Sequence, residues 1–519
     1  MLKSTLYLLV FFIMVNFVNS QPIGKENSLL RTISGVYDLQ LNSISPIEMF
    51  STNYGINGHY GGRGGILWPR GSHNQYIFAH GIWFGAQKKK SDNSGYTTNV
   101  AINYNPNSGK GWFVPGRISD GDKIQNDKLF LYRTYFSTDF YRNNGKTLPS
   151  EIGPNWPLWK KNASQNTLLL SKDNFEIDSN KRNSNDYPLG PIFISDEDIF
   201  TTYKDTDLSR YEEGEAASKS QGYPLKLQFD QRILTFNSNN ILADCAIYQY
   251  LITNESTETL NQCYLGGFFD PDLARDSSSS FGAGNDFARY YSQDSSLNLA
   301  YCWTNTERKE YGHNFGYVGA SLLESPSVDE NGNIKDSKNL YPMNDQLGLR
   351  TCKIWEIDKD STFNSNRYNL LSSDEKTNQL GPRDVRMMLS SGPFNLKPGE
   401  SVRFAYLLSF GLNSTKLVSN VKEAIKYYYD NNTSVDENVS QFNSDLVIAP
   451  NPASDFINIA LKPSEGSLIE IYNIMGVKIL TSLVETKNFS SLQKIDVSNL
   501  APGFYFLKIG DRIEKFVKM

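Results

Sequence analysis

The sequence predicts a mainly β protein, with antiparallel β-sandwich-type sheets, one late amphipathic helix and a small C-terminal immunoglobulin-like β-sandwich. Three observations carry that expectation. Short apolar stretches of period two recur along the chain between clusters of Gly, Pro, Asn and Asp. A single stretch has helical spacing, and the last 75 residues repeat the short-strand pattern with a charge balance of their own.

The 519 residues are 39% hydrophobic, 21% charged and 13% aromatic. That composition excludes wholesale disorder and collagen-like character, and the length exceeds what one compact core holds. The formal net charge of −5 becomes more negative when Lys3 leaves with an export signal, which disfavours nucleic acid or an anionic membrane as partner.

Residues 1–20 read as a signal peptide. Lys3 gives the positive start, Leu6 to Val18 is apolar except for Asn16, and Val18-Asn19-Ser20 precedes a cut at Gln21. The apolar run is short for a membrane span. Residues 21–194 form a Gly- and aromatic-rich β and loop region. Tyr76-Ile77-Phe78-Ala79 and Gly81-Ile82-Trp83-Phe84-Gly85 read as strands, and 143–185, with Trp156 and Trp159, as long loops.

Residues 195–430 form a central β-sandwich region. Leu225 to Phe229 alternates strictly, and Ala246 to Ile252 runs through the turn Asn254-Glu255-Ser256-Thr257 to Cys263-Tyr264-Leu265 as an expected hairpin. Val402 to Leu408 follows the turn Lys397-Pro398-Gly399-Glu400. With Ser414 as N-cap, Leu417, Val418, Val421, Ala424, Ile425 and Tyr428 share one helical face, and Asp430-Asn431-Asn432 ends the helix. Residues 431–444 are a polar linker. In 445–519, eight basic residues balance eight acidic ones, and seven short strand candidates alternate around Glu470, Lys478 and Asp496.

Candidate chemistry is sparse. Cys245, Cys263, Cys302 and Cys352 permit two disulfides of unspecified pairing, or four buried thiols, and their spacing lacks the CxxC pairs of zinc sites. His59, His73 and His80 lie in one segment, with His313 apart, but none has HExxH spacing. Asp270-Pro271-Asp272 to Asp276 and Asn285-Asp286 read as an irregular acidic loop. Asp270, Asp272 and Asp286 are the candidate Ca²⁺ ligands, with a solvated turn-capping loop as the alternative. Asp329 to Asn333 reads as a turn. Trp68, Trp83, Trp112, Trp156 and Trp159 are either a stacking surface or core aromatics. No residue stands out as catalytic.

Four ordered blocks in the tail carry a resemblance. They are Ala449-Pro450-Asn451-Pro452-Ala453-Ser454-Asp455, then Ile471-Tyr472-Asn473 to Gly476-Val477-Lys478, then Ile495-Asp496-Val497-Ser498-Asn499-Leu500 with Gly503-Phe504-Tyr505, and finally Lys515-Phe516-Val517-Lys518. Residues 445–519 resemble the type A C-terminal sorting domain of the type IX secretion system. The resemblance makes Pro450, Asn451, Pro452, Gly476, Leu500, Gly503, Tyr505 and Lys515 sorting-motif residues. It implies export from a Bacteroidota-type bacterium through the periplasm and outer membrane to the cell surface or medium, with the general secretion machinery and the type IX translocon and sortase as partners. Much of residues 60–430 is similar, through Gly81 to Gly85, Ser195 to Asp198, Tyr223 to Leu225, Phe268 to Leu273 and Ser391 to Leu396, to large secreted proteins that carry such tails, and this similarity implies no activity.

The expectation from all of this is a secreted, non-catalytic binding or structural protein whose partner is an extracellular polymer or surface. The alternative is a secreted carboxylate-dependent hydrolase of polysaccharide or protein.

Overall fold

The computed structural model describes residues 37–58, 65–72, 74–90, 94–107, 111–123, 132–137, 158–159, 175–176, 194–210, 222–275, 283–305, 315–337, 340–360, 364–432, 447–449, 451–460, 468–473, 477–483, 492–509 and 512–519. The expected signal peptide, most of the expected linker, His59, His73, His313, Trp156, Asp276, Pro450 and Gly476 lie outside them. The chain divides into two compact units, 1–434 and 435–519.

In the first unit the early strands are β1 Leu39–Leu41, β2 Glu48–Thr52, β3 Ile66–Leu67, β4 Asn74–Lys89, β5 Tyr96–Ile102, β6 Val114–Pro115, β7 Tyr135–Phe136, β8 Leu158–Trp159 and β9 Phe175–Glu176. Then follow β10 Glu197–Lys204, β11 Leu227–Thr235, β12 Cys245–Asn254, β13 Leu260–Arg275, β14 Asp286–Tyr290, β15 Leu299–Thr304 and β16 Tyr317–Glu324. The unit closes with β17 Thr351–Glu356, α1 Asn364–Ser372, β18 Leu380–Arg383, β19 Val385–Leu396, β20 Ser401–Gly411 and α2 Ser414–Asn432.

Two large antiparallel sheets result. One has the order β1-β2-β3-β4-β13-β19-β17, with β5 also on β4; the other has β18-β14-β15-β16-β20-β12-β11-β10-β6, with β7 also on β10. Strands before residue 194 and after it share both sheets, so the described residues of 21–194 and of 195–430 belong to one compact body.

The sheets meet face to face over aromatic side chains. His80 and Phe269 from the first sheet contact Tyr248 and Tyr406 from the second, with the Phe269 and Tyr406 rings edge to face at 5.1 Å. Trp83 stacks on Phe268 at 4.9 Å, and its Nε1 donates to the Tyr104 carbonyl. Trp68, Trp83 and Trp112 are all buried, so these three are core aromatics and not a stacking surface.

The expected hairpin between 246 and 265 does not form. β12 pairs with β11 and β20 in one sheet, whereas β13 pairs with β4 and β19 in the other, so residues 255–259 cross between sheets. The turn at Gly399, whose φ of 77° suits glycine, makes a second crossing, from β19 to β20. Asn254 ties the two crossings: its N–H donates to the Glu400 carbonyl, its carbonyl accepts from Gly399, and its side-chain amide donates to the Leu396 carbonyl.

α2 covers the outer face of the second sheet with Leu417, Val421, Ala424 and Tyr428, all fully buried, as the spacing predicts. Its N-cap is Asn413 and not Ser414: Asn413 Oδ1 accepts the Lys416 N–H at 2.8 Å. α1 was not legible, since its run NSNRYNLLS lacks an apolar stripe. It packs Leu371 over Gly266, where a Cβ would lie 2.9 Å from that side chain.

The second unit has seven strands: β21 Val447–Ala449, β22 Phe456–Ala460, β23 Leu468–Asn473, β24 Lys478–Leu483, β25 Leu492–Asp496, β26 Gly503–Ile509 and β27 Arg512–Lys518. They form sheets β21-β22-β25 and β24-β23-β26-β27. Ile457, Ile469, Ile471, Ile495, Val497, Leu507 and Phe516 fill the core between them.

Candidate functional site

Residues 270–275 of the segment expected as an acidic loop are the end of the 16-residue strand β13. The chain absorbs Pro271 at a register shift, between the pairs Asp270↔Ala79 and Pro271↔Ile77, because a proline cannot donate to the ladder. Asp286 opens β14 opposite Arg383, and β19 brings in Arg386 two residues after Asp384.

These elements converge on Arg386. Its Nη1 donates to Asp270 Oδ1 at 2.5 Å and to Asp384 Oδ1 at 2.6 Å, and its Nε donates to Asp360 Oδ2 at 3.3 Å. Tyr104 donates its hydroxyl to the other Asp270 oxygen at 3.0 Å. Gln75 reaches Asp272 Oδ2 at 3.4 Å, and the Leu273 N–H donates to Asp286 Oδ2 at 2.9 Å. One oxygen each from Asp270, Asp272 and Asp384 lies within 4.8 Å of the others. Burial raises the carboxyls of Asp270, Asp272, Asp286 and Asp360, and mutual repulsion adds to it. Asp384 is the member that the sequence did not offer, being more than a hundred residues from Asp270.

His80 is fully enclosed. Its Nδ1 lies 3.0 Å from the Tyr406 hydroxyl, which in turn meets the Tyr250 hydroxyl at 2.8 Å, while Nε2 has no partner among the described residues. Burial pushes its pKa down to about 3. The unfolded chain therefore binds a proton below its ordinary value near 6.5 that the folded chain refuses, and stability falls as pH drops from there towards 3. In urea melts, the stability gap between wild type and His80→Gln is expected to narrow by about 2 kcal/mol between pH 7 and 5. A gap that does not change with pH would contradict this.

All four cysteines are buried free thiols. Burial pushes Cys245 and Cys352 up to about 12, and Cys263 and Cys302 well above the ordinary thiol range, so none is poised as a thiolate nucleophile. Asp329 caps a turn, accepting the N–H groups of Asn331 and Asn333 at 2.9 Å each, with Gly332 at φ 76°.

In the second unit the first, third and last sorting-motif blocks meet at the terminal strand β27, while Ile471 to Asn473 lies on β23, which pairs with β24 and β26. Asn451 Oδ1 accepts the Val517 N–H at 2.8 Å, and its Nδ2 donates to the Lys515 carbonyl at 3.2 Å. Ala453 continues the clamp: its N–H donates to the Val517 carbonyl, and its carbonyl accepts from Met519. Tyr505 stacks on Phe516 at 5.6 Å and donates its hydroxyl to the Ala501 carbonyl. Leu500 is buried, Gly503 pairs with Lys518 at the start of β26, and Lys515 Nζ lies 4.2 Å from the Phe504 ring centre. Pro452 is exposed.

Residues 447–519 match the family model described as the secretion system C-terminal sorting domain. A sorting domain of this kind directs its chain through the outer membrane to the cell surface, so this protein is exported cargo of the type IX machinery. No curated protein matches the chain. Among solved structures, the chain is similar to a polysaccharide lyase at 10% identity and TM-score 0.24, over 94% of this chain and 46% of the lyase. The chain thus spans less than half of the lyase. It is also similar to a putative aldose 1-epimerase from Escherichia coli K12, at 9% identity and TM-score 0.26, covering 72% of this chain and 99% of the epimerase. A putative aldose 1-epimerase from Klebsiella pneumoniae subsp. pneumoniae follows at 8% identity and TM-score 0.20, covering 79% and 93%.

Ahead of the sorting domain, the body carries one feature that no sequence motif marked. Phe287, Trp303 and Tyr317 lie side by side on β14, β15 and β16, on the sheet face that also carries α2. Phe287 and Trp303 are register partners, stacked at 5.4 Å and 16°, and Trp303 stacks on Tyr317 at 6.1 Å and 21°. All three are half-buried, and Arg289 shares their face of β14. Strand alternation could have placed each ring outward, but only the pairing of three strands aligns them.

Proposed function

We propose that this exported protein is a non-catalytic binder and that its body holds an extracellular polysaccharide on the row Phe287–Trp303–Tyr317. The observation that carries the reading is the near-parallel alignment of three partly exposed rings across neighbouring strands. Because the rings stack on one another, the row offers a continuous ledge of ring edges, against which the apolar faces of sugar rings pack, and a rigid sheet presents it without loss of loop entropy. In support, the histidine and thiols described above are enclosed in the core, away from any ligand on that face.

Pull-down of the purified chain on a panel of insoluble polysaccharides is expected to retain it on one of them without product release. Trp303→Ala should weaken that retention about tenfold, the worth of one aromatic stack, while circular dichroism is unchanged. Equal retention of the variant would remove the row from the binding surface. Sugar release abolished by a single Asp→Asn change would overturn the non-catalytic reading in favour of the hydrolase.

A further inference from the structure

The convergence on Arg386 is short of positive charge. Asp270, Asp272, Asp360 and Asp384 gather about it, Asp286 adds its charge to that of Asp272 and Asp384, and a single guanidinium bonds three of the five. Arg383, the register partner of Asp286, does not help, since it is half exposed and pairs with Glu356 at 2.9 Å. Asp286 adds a separate observation. It is wholly buried, its Oδ2 is taken by the Leu273 N–H beside Asp272, and its Oδ1 meets no donor at hydrogen-bond distance among the described residues. The Thr304 hydroxyl eases its charge, but Asp272 and Asp384 act on it in the opposite direction.

Several carboxylates that share a partly enclosed space suit a hard cation with flexible oxygen coordination. One oxygen each from Asp270, Asp272 and Asp384 lies within 4.8 Å of the others, close enough for a single Ca²⁺, with oxygen ligands at about 2.4 Å, to touch all three. Asp384 is about one-third exposed, which leaves the cluster open to water and to exchange of an ion.

We propose that Asp270, Asp272 and Asp384, with Asp286 behind them, form a Ca²⁺ site that joins the ends of β13, β14 and β19. Arg386 and Tyr104 orient Asp270, and Arg386 orients Asp384. The ion fastens strands of both sheets to each other, independently of what the aromatic row binds.

The test uses the full chain, stripped with chelator and titrated with CaCl₂, with TbCl₃ as a luminescent probe. Trp355 donates its Nε1 to Asp360 at 2.8 Å, so excitation of tryptophan should sensitise bound Tb³⁺. The expected result is a saturable rise in Tm of about 3 °C with Ca²⁺, and Tb³⁺ emission that Ca²⁺ displaces. Mg²⁺ at the same concentration should shift Tm less, because it demands a tighter octahedron. Asp272→Asn and Asp384→Asn should each abolish the Ca²⁺ shift and the emission. In chelator, both should melt at or above the wild-type temperature, because repulsion is relieved. The control Asp329→Asn, in an exposed turn, should respond as wild type does. A Ca²⁺ shift that persists in both cluster variants, an equal shift with Mg²⁺, or no shift and no emission in wild type would overturn the site.

Discussion

A chain that stops at residue 446 is expected to fold its body and remain in the periplasm, leaving the surface fraction empty. The body forms a compact unit without the sorting domain. The sorting domain also carries the family match, so its removal takes away the address and leaves the cargo intact. The point variant Phe516→Ala should behave nearly as the deletion does. Phe516 is fully buried, stacks on Tyr505 and sits in the strand that Asn451 and Ala453 clamp. Removing a buried Phe costs about 3–5 kcal/mol. A sandwich of this size rarely has more than about 3–5 kcal/mol in hand. Immunoblots of periplasmic, surface and medium fractions read both variants, and normal surface display of either would contradict the expectation for it.

Arg403→Leu is expected to cost about 3–5 kcal/mol of body stability in urea melts. Arg403 on β20 donates its Nε to Glu324 Oε1 at 2.5 Å and its Nη2 to Oε2 at 3.2 Å, with both side chains at or below 5% exposure. Tyr428 of α2 donates its hydroxyl to the same carboxylate. Burial on its own would lower the Arg403 pKa, but Glu324 and Tyr428 raise it above its ordinary value, so the ion pair persists in the interior. The single change strands a buried carboxylate. The double variant Arg403→Leu with Glu324→Gln removes both charges and should recover most of the loss. A single variant within 1 kcal/mol of wild type, on the order of a surface substitution, would show that the pair is not enclosed as described.

Legibility followed locality. The sorting domain could be read because its blocks follow one another within a short stretch, and its strands pair mostly with near neighbours. The helix Ser414–Asn432 was legible for the same reason, and the one-residue error at its cap arose because Asn413 and Ser414 are both good cap residues. The hairpin reading failed because alternation along β12 and β13 is compatible with pairing to each other or to strands far away; nothing local says that residues 255–259 change sheets. The acidic cluster was half visible. Asp270, Asp272 and Asp286 are close in sequence, whereas Asp384 and Arg386 arrive through the register of β19 on β13, and Asp360 follows β17, which pairs with β19. The aromatic row was hidden in the same way, since Phe287, Trp303 and Tyr317 belong to three separate strands.

The mixing of early and late strands in both sheets also sets an order in time. β4 pairs with β13, and β13 with β19, so the first sheet cannot be completed until residue 396 is available; the second awaits β20, which ends at Gly411. A chain that is made from its N-terminus therefore spends most of its synthesis without its final partners, and pairing between such distant segments is slow. The address emerges only after the last of these strands. The body becomes able to close at nearly the moment when the sorting domain first becomes readable, so the outer-membrane machinery receives its signal together with, and not ahead of, a chain that is competent to fold.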